Sequence, residues 1–266
     1  MIPWYASAAM LLTAGIIVAM LMRAAGDRKS LASVISSEGA PTYRAHSSLP
    51  LNVRRHLAAA TGNDKAPSYK GAIVMQQGKI RRGPTDKWMT FTARQGYSSQ
   101  RPAFTWIARV TKTPLVIRDS YDRFKGSMQV RAGPLVISRK EGREMDIASL
   151  QRYASEVVYV PHMMASSAVG WKEDDDAHAT MTITDGHLKS TLRCTFGEDG
   201  MIKEIWGDRY RDTGYGMELC PWGGTYSQYR NMRGLLVPTE IRGYWIVNDK
   251  KYMYVAITVK NVSYEV

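Results

Sequence analysis

Alternation of apolar and polar positions is the main pattern in this chain. In KWMTFTARQ (87–95), Met89, Phe91 and Ala93 fall on one side, and Trp88, Thr90, Thr92 and Arg94 on the other. In AFTWIARV (103–110), Phe104, Trp106, Ala108 and Val110 share a side. A period of two is the period of a β-strand. YKGAIVMQQGKI, PLVIRDSY, GSMQVRA and PLVIS read as further strands, punctuated by Gly, Pro and Lys/Asp turns. Asp185–Gly186, Asp199–Gly200 and Asn248–Asp249 are two-residue turn signals. They predict hairpins pairing 178–184 with 187–193, 187–196 with 201–208, and 237–247 with 250–260. The last of these sets Trp245 opposite Tyr252.

Two segments carry the helical period instead. SLPLNVRRHLAAATG (48–62) predicts a short helix capped by Ser48, with Pro50 in its first turn and Gly62 at its end. Over 146–159, with Asp146 as N-cap, Ile147, Leu150, Ala154, Val157 and Val158 form one apolar stripe. Tyr153 sits at its edge. Arg152 and Glu156, four residues apart, pair on the opposite face. The expected fold class is α+β: a mainly antiparallel curved sheet, a half-barrel or meander, with one inserted helix. An N-terminal transmembrane helix is expected to precede it.

That helix is read from PWYASAAMLLTAGIIVAMLM (3–22), twenty residues without a charge. At about 1.5 Å per residue it spans a hydrocarbon core of roughly 30 Å. Trp4 and Tyr5 suit one interface, and Arg23, Arg28 and Lys29 follow the other end, which points to a cytoplasmic domain. No basic residue precedes the segment, so an anchor fits better than a cleaved signal. The expected organisation is an anchor over 1–22, a small and polar linker over 23–47, and a β-rich half-barrel over 48–266.

Composition and charge add partners to this outline. The chain of 266 residues is 44% hydrophobic and 23% charged, a globular profile. Fifteen Tyr and seven Trp outnumber four Phe, so most rings carry a polar tip. Of the net charge of +12, a surplus of nine lies in 44–101, with eleven basic residues against two acidic ones. This is a solvated basic surface or an attraction to an anionic membrane. No helix-turn-helix, zinc-finger or RNP-type pattern accompanies it, so nucleic acid is not expected as a partner.

Catalytic and metal signatures are sparse. Cys194 and Cys220 form no CxxC, the five histidines form no HxxxH or HExxH, and G-x-S-x-G is missing. The aspartates of EDDDAH (173–178) lack the Gly and later Glu of a calcium loop and read as a solvated turn. His178 and His187 do not face each other in the expected hairpin. No cofactor, metal or catalytic residue is assigned. Glu156 with Asp208 could in principle form an acid–base pair, but the sequence does not place them together.

LQRYASEVVYVP (150–161) resembles the L-x-R-Y-x-x-E-x-x-x-x-P signature of an uncharacterised bacterial family, known only as a domain of unknown function. The likeness continues upstream in KWMTFTARQ, PAFTWIAR and DSYDRFKGSMQV. Downstream it runs through GWKEDD, FGEDGMI, DRYRDTGYG and CPWGGTYSQY, so that it covers roughly 48–264. More distantly, the pattern is similar to lipoprotein-carrier (Lol-type) half-barrels. That resemblance implies a concave face that shelters acyl chains, closed by the helix as a lid.

Arg152, Tyr153 and Glu156 would then lie at the rim, with Arg152 facing a phosphate or carboxylate headgroup. Met163 and Met164 would form an adaptable apolar wall or ordinary core. The stretch 208–229, rich in Gly and aromatics, reads as a long loop holding Arg209, Trp222 and Tyr229. It is either structural, with an Asp208–Arg209 pair, or a ligand rim. The primary expectation is a membrane-anchored binding module for a lipid or other amphipathic ligand. An enzyme acting on a hydrophobic small molecule, using Arg152, Glu156 or Arg209, and an envelope scaffold without ligand are the alternatives. The oligomeric state is left open.

Overall fold

Strand-period segments that follow one another at hairpin distance pair in sequence. The computed structural model describes residues 25–36, 42–62 and 69–266. Among these, thirteen strands make one antiparallel sheet. The first six are β1 (Gly71–Ile80), β2 (Met89–Ser98), β3 (Phe104–Val110), β4 (Leu115–Asp122), β5 (Lys125–Ala132) and β6 (Leu135–Lys140). The other seven are β7 (Val169–Asp175), β8 (His178–Asp185), β9 (Leu188–Phe196), β10 (Ile202–Asp212), β11 (Met217–Met232), β12 (Leu235–Val247) and β13 (Lys250–Glu265). β1 pairs with β13, so the two runs form one sheet whose edges are β6 and β7. The helix α1 (Leu51–Thr61) precedes the sheet, and α2 (Arg143–Ser155) connects its two edges.

The sheet twists and curls until its limbs meet. The Tyr121 hydroxyl on β4 donates to Asp185 at the end of β8 at 2.7 Å. In sheet order eight strands separate β4 from β8. Phe124 and His187, in the turns beyond these strands, bring their rings to 5.7 Å. Lys140 on β6 reaches Asp212 on β10 at 3.3 Å. The curved meander expected from the alternation is therefore present as a half-barrel drawn nearly shut.

α2 lies inside this curl, against β4 and β5 on one limb and β8, β9 and β10 on the other. Leu150, Ala154, Val157 and Val158 of the expected stripe are buried, and Ile147 is half-buried. Gly126 on β5 permits the close approach. A Cβ there would collide with the Met145 carbonyl and come 2.5 Å from Ser149 Oγ. The Gly126 N–H donates to the Asp146 carboxylate at 2.7 Å. Asp146 is thus not the N-cap; Gly142 holds that position, and Asp146 ties the first turn to the sheet instead.

Other local readings divide in the same way. Gly62 ends α1 in the left-handed region at φ 75, but Ser48 does not cap it, because its hydroxyl bonds the Ala45 carbonyl within its own turn. Asn248 and Asp249 both take positive φ, and Trp245 faces Tyr252 as expected. In the β8–β9 hairpin Asp185 pairs with Leu188, so the turn residues are Gly186 and His187 rather than Asp185 and Gly186. The stretch 208–229 is not a long loop: it is the end of β10, a short turn and most of β11. Gly223 reads as a loop residue, yet it sits in a strand because the Tyr244 ring occupies the space of its missing Cβ.

Within the expected linker 23–47, residues 25–35 are helical and lie on the convex face, with Leu31, Val34 and Ile35 buried. Leu31 O would be 2.7 Å from a Cβ on Gly96, and Asp27 pairs with Arg109 at the end of β3. The segment is a strap on the sheet, held by the apolar spacing of those three residues. Among the described residues no helix is long and apolar enough to cross a membrane. The segment 3–22, expected as an anchor, lies outside them.

Two buried histidines give the fold a pH dependence. His56 on α1 is fully buried beside β10, its Nδ1 3.3 Å from Ile202 N and from Gly200 O. His162 is buried among Tyr43 and Tyr69. Burial disfavours the charged ring and lowers each pKa to about 4. The unfolded chain therefore binds protons that the folded chain refuses. Stability is full above about pH 6.5 and is lost as the pH falls towards 4. We expect urea unfolding to show a loss of about 2 kcal/mol per histidine between pH 7 and pH 5, with His162→Gln removing one such share.

Candidate functional site

The buried polar centre of the half-barrel is built around Arg152. Its position on α2, one turn after Ala148, points it at β2, β3 and β4. Nη1 meets Asp119 Oδ2 at 2.6 Å, and Nε meets Glu156 Oε1 at 3.2 Å. Gln95 donates to Glu156 Oε2 at 2.5 Å. The guanidinium lies over Trp106 and Phe104, at 4.8 and 5.1 Å from the ring centroids. Trp106 donates to Gln76 at 2.7 Å, and Gln76 to the Tyr159 hydroxyl at 3.2 Å. Burial lowers the Arg152 pKa, and the charges of Glu156 and Asp119 reverse the effect, so the net shift is upward.

The expected Arg152–Glu156 pair is therefore present but misread in its surroundings. It is neither a solvated surface pair nor an open rim, because the side chains of Arg152, Asp119 and Glu156 are 14%, 7% and 12% exposed. The sheet curls around both faces of α2, and so the face opposite the apolar stripe is also interior. One guanidinium stands between two carboxylates. Asp119 Oδ1 and Gln95 Oε1 have no hydrogen-bond partner among the described residues. The cluster is formally anionic, with acceptors to spare.

Tyrosines complete the attachment of α2. A helix leaves its last carbonyls without intrahelical donors. Tyr97 donates to Tyr153 O at 3.1 Å, Tyr226 to Ser155 O at 2.8 Å, and Tyr264 to Tyr159 O just beyond the helix at 3.1 Å. Tyr153 stacks on Tyr97 at 4.5 Å and donates to Ser98 O at 2.9 Å. Burial raises the phenol pKa of both rings.

Arg209, on β10, also points inward. Nε donates to Ala148 O at 3.2 Å, and the guanidinium lies 5.0 Å from the Trp222 ring and 5.9 Å from that of Trp245. Trp222 donates to the Tyr254 hydroxyl at 3.1 Å. Asp208 does not pair with Arg209, since alternation sends it to the exposed face. For the same reason Glu156 and Asp208 are not assembled as an acid–base pair. Among the described residues no cluster of three or more His, Cys, Asp and Glu could hold a metal ion. Both cysteines are free and buried.

Beside α2 the concave face is incompletely covered. Ile80 and Met89 at the β1–β2 turn, Leu115 at the β3–β4 turn, Val130 on β5, and Val247 and Tyr252 at the β12–β13 turn are half-buried apolar residues against the core. The Arg209 guanidinium lies near Trp245, which pairs with Tyr252 of this groove, and Arg209 meets α2 at Ala148, one helical turn before Arg152. Tyr153 belongs to the covered side. Tyr229 lies elsewhere, donating to Ile202 O at 2.8 Å with its ring near His56. Met163 and Met164 are core. Sequence reasoning missed Asp119, Gln95, Trp245 and Tyr254. For Asp119 and Gln95 a signal existed: both occupy inward positions of alternating strands, Asp119 between Ile117 and Tyr121, and Gln95 two residues after Ala93.

The model of a family of unknown function, DUF6920, matches residues 47–264. No curated protein matches the chain. Among solved structures, a LolA superfamily protein from Nitrosomonas europaea is similar at 10% identity and a TM-score of 0.43, over 80% of this chain and 91% of that one. A DUF1329 family protein from Desulfovibrio piger is similar at 14% identity and a TM-score of 0.45, over 75% and 88%.

The buried cluster predicts a large cost for removing its cation. Arg152→Met leaves two carboxylates facing each other and is expected to destabilise the fold by about 3–5 kcal/mol. Adding Asp119→Asn should recover part of that loss. Lys203→Met, which breaks the exposed 2.5 Å pair with Asp199, should cost less than about 0.5 kcal/mol. Urea unfolding of the variants checks both.

Proposed function

For this chain, which belongs to the DUF6920 family of unknown function, we propose a role as a membrane-anchored module that binds a lipid or other amphipathic molecule. The ligand lies in the half-open groove beside α2. The observation that carries this reading is the contrast within one concave face. Its covered part is filled by α2, while the part near the β1–β2, β3–β4 and β12–β13 turns keeps apolar side chains half-buried. Burial of such surface by an apolar chain is worth about 25 cal/mol per Å².

Membrane attachment rests on the segment 3–22 and on where the strap begins. Its Asp27 pairs with Arg109, next to the β3–β4 turn, at the end of the sheet where the groove opens, which supports a bilayer on that side. Arg81, Arg82, Lys87, Lys112, Lys250 and Lys251 belong to the turns of that end or flank them. Each adds roughly 1 kcal/mol of attraction to an anionic leaflet when close to it. Basic residues after 3–22 favour the cytoplasmic side for the domain.

Native mass spectrometry of the full chain, released from native lipid particles prepared without detergent, tests the reading. A bound amphiphile is expected, confirmed in a parallel organic extract. Val130→Trp, which fills the groove, should lower occupancy about fivefold, equivalent to ~1 kcal/mol. An empty protein, or a cargo indifferent to Val130→Trp, contradicts the proposal.

A further inference from the structure

Two arginines lie within the curl of the sheet, Arg152 on α2 and Arg209 on β10, and they are not equivalent. Arg152 is neutralised by Asp119 and Glu156. Arg211, two residues beyond Arg209 on β10, is held by Glu218 at 3.0 Å and by the Tyr252 hydroxyl at 3.3 Å. Arg209 is 9% exposed, yet no carboxylate among the described residues pairs with it. Its side chain makes one hydrogen bond, from Nε to Ala148 O. Its terminal nitrogens make no hydrogen bond among the described residues, and the guanidinium lies against Trp222 and Trp245, the latter paired with Tyr252 of the groove.

A guanidinium so buried and without a counter-charge is costly unless an anion completes it. Aromatic faces favour the cation but supply no acceptor in its plane. We propose that Arg209 is the headgroup site of the groove, and that the ligand is an amphiphile with a phosphate or carboxylate head. The planar fork of Arg209 binds two oxygens of that head side by side. Trp222 and Trp245 support the cation through their rings. The chain of the ligand then runs along Tyr252, Val247 and the apolar residues of β1–β5.

The Arg152 cluster reinforces this placement. It carries two carboxylates for one cation and keeps unpartnered acceptors at Asp119 Oδ1 and Gln95 Oε1. It repels an anion, although by sequence Arg152 was the natural choice for the headgroup. The two arginines therefore divide the work: Arg152 fixes the helix, and Arg209 receives the ligand.

This inference rests on the groove reading, and the test separates the two. Octyl phosphate, octanoate and octanol are titrated as monomers into the full chain in zwitterionic nanodiscs, with calorimetry as the readout. The wild type should bind octyl phosphate about tenfold more tightly than octanol, with octanoate between them. Arg209→Gln should erase that preference and leave octanol binding within about twofold, which also reports an intact fold. Arg209→Lys should retain part of the preference.

Equal affinity of the wild type for octyl phosphate and octanol overturns the headgroup site and leaves the groove standing. So does a preference that survives in Arg209→Gln. A stronger loss of the preference in Arg152→Lys than in Arg209→Gln reverses the assignment of the two arginines and also overturns it. Absence of binding by all three probes overturns both the site and the groove.

Discussion

The contact on which the rest of this fold depends is the clamp of Arg152 between Asp119 and Glu156. It joins α2, the link between the two edges of the sheet, to strand β4. Among the described residues β6 and β7 have no strand to pair with on their outer sides. An open sheet of this length has exposed edges and a large apolar concave surface. α2 addresses the second problem by filling the interior. Its polar face is tolerable there because Arg152 meets two carboxylates and lies over the rings of Trp106 and Phe104. Burying one member without the others would cost several kcal/mol.

The abundance of tyrosine over phenylalanine follows from the same arrangement. A helix enclosed by a sheet has no water to satisfy its C-terminal carbonyls. Tyr226 and Tyr264, from β11 and β13, donate to Ser155 O and Tyr159 O, and Tyr97 from β2 adds a second donor to Tyr153 O beside the Glu156 N–H. Their rings add apolar burial at the same time. The polar tip that the composition supplies on most rings is here used to finish a helix end in a dry interior.

What could be read from the chain divides by distance in sequence. The inward positions of β2 and β3 and the pairing of Trp245 with Tyr252 depend on near neighbours and turn chemistry, and they were legible. The environment of Arg152 was not, because its second carboxylate is 33 residues away and nothing local marks the curl that brings it close. The stretch 208–229 misled because Gly223 is a packing residue beneath the Tyr244 ring, and its role is visible only once β12 lies alongside. Arg209 was singled out as a candidate, but the feature that distinguishes it, a buried guanidinium without a carboxylate, is a property of the assembled sheet.

α2 is a fixed part of the core and the groove beside it the variable part, whereas a lid would open on its own. Amide hydrogen exchange of the full chain measures this difference directly. If α2 is clamped as described, its amides should exchange as slowly as those of β1 and β13 and respond to urea with them, as one cooperative unit. Early exchange of residues 143–155 while β1 and β13 stay protected would mean that the helix opens independently, and would contradict the clamp.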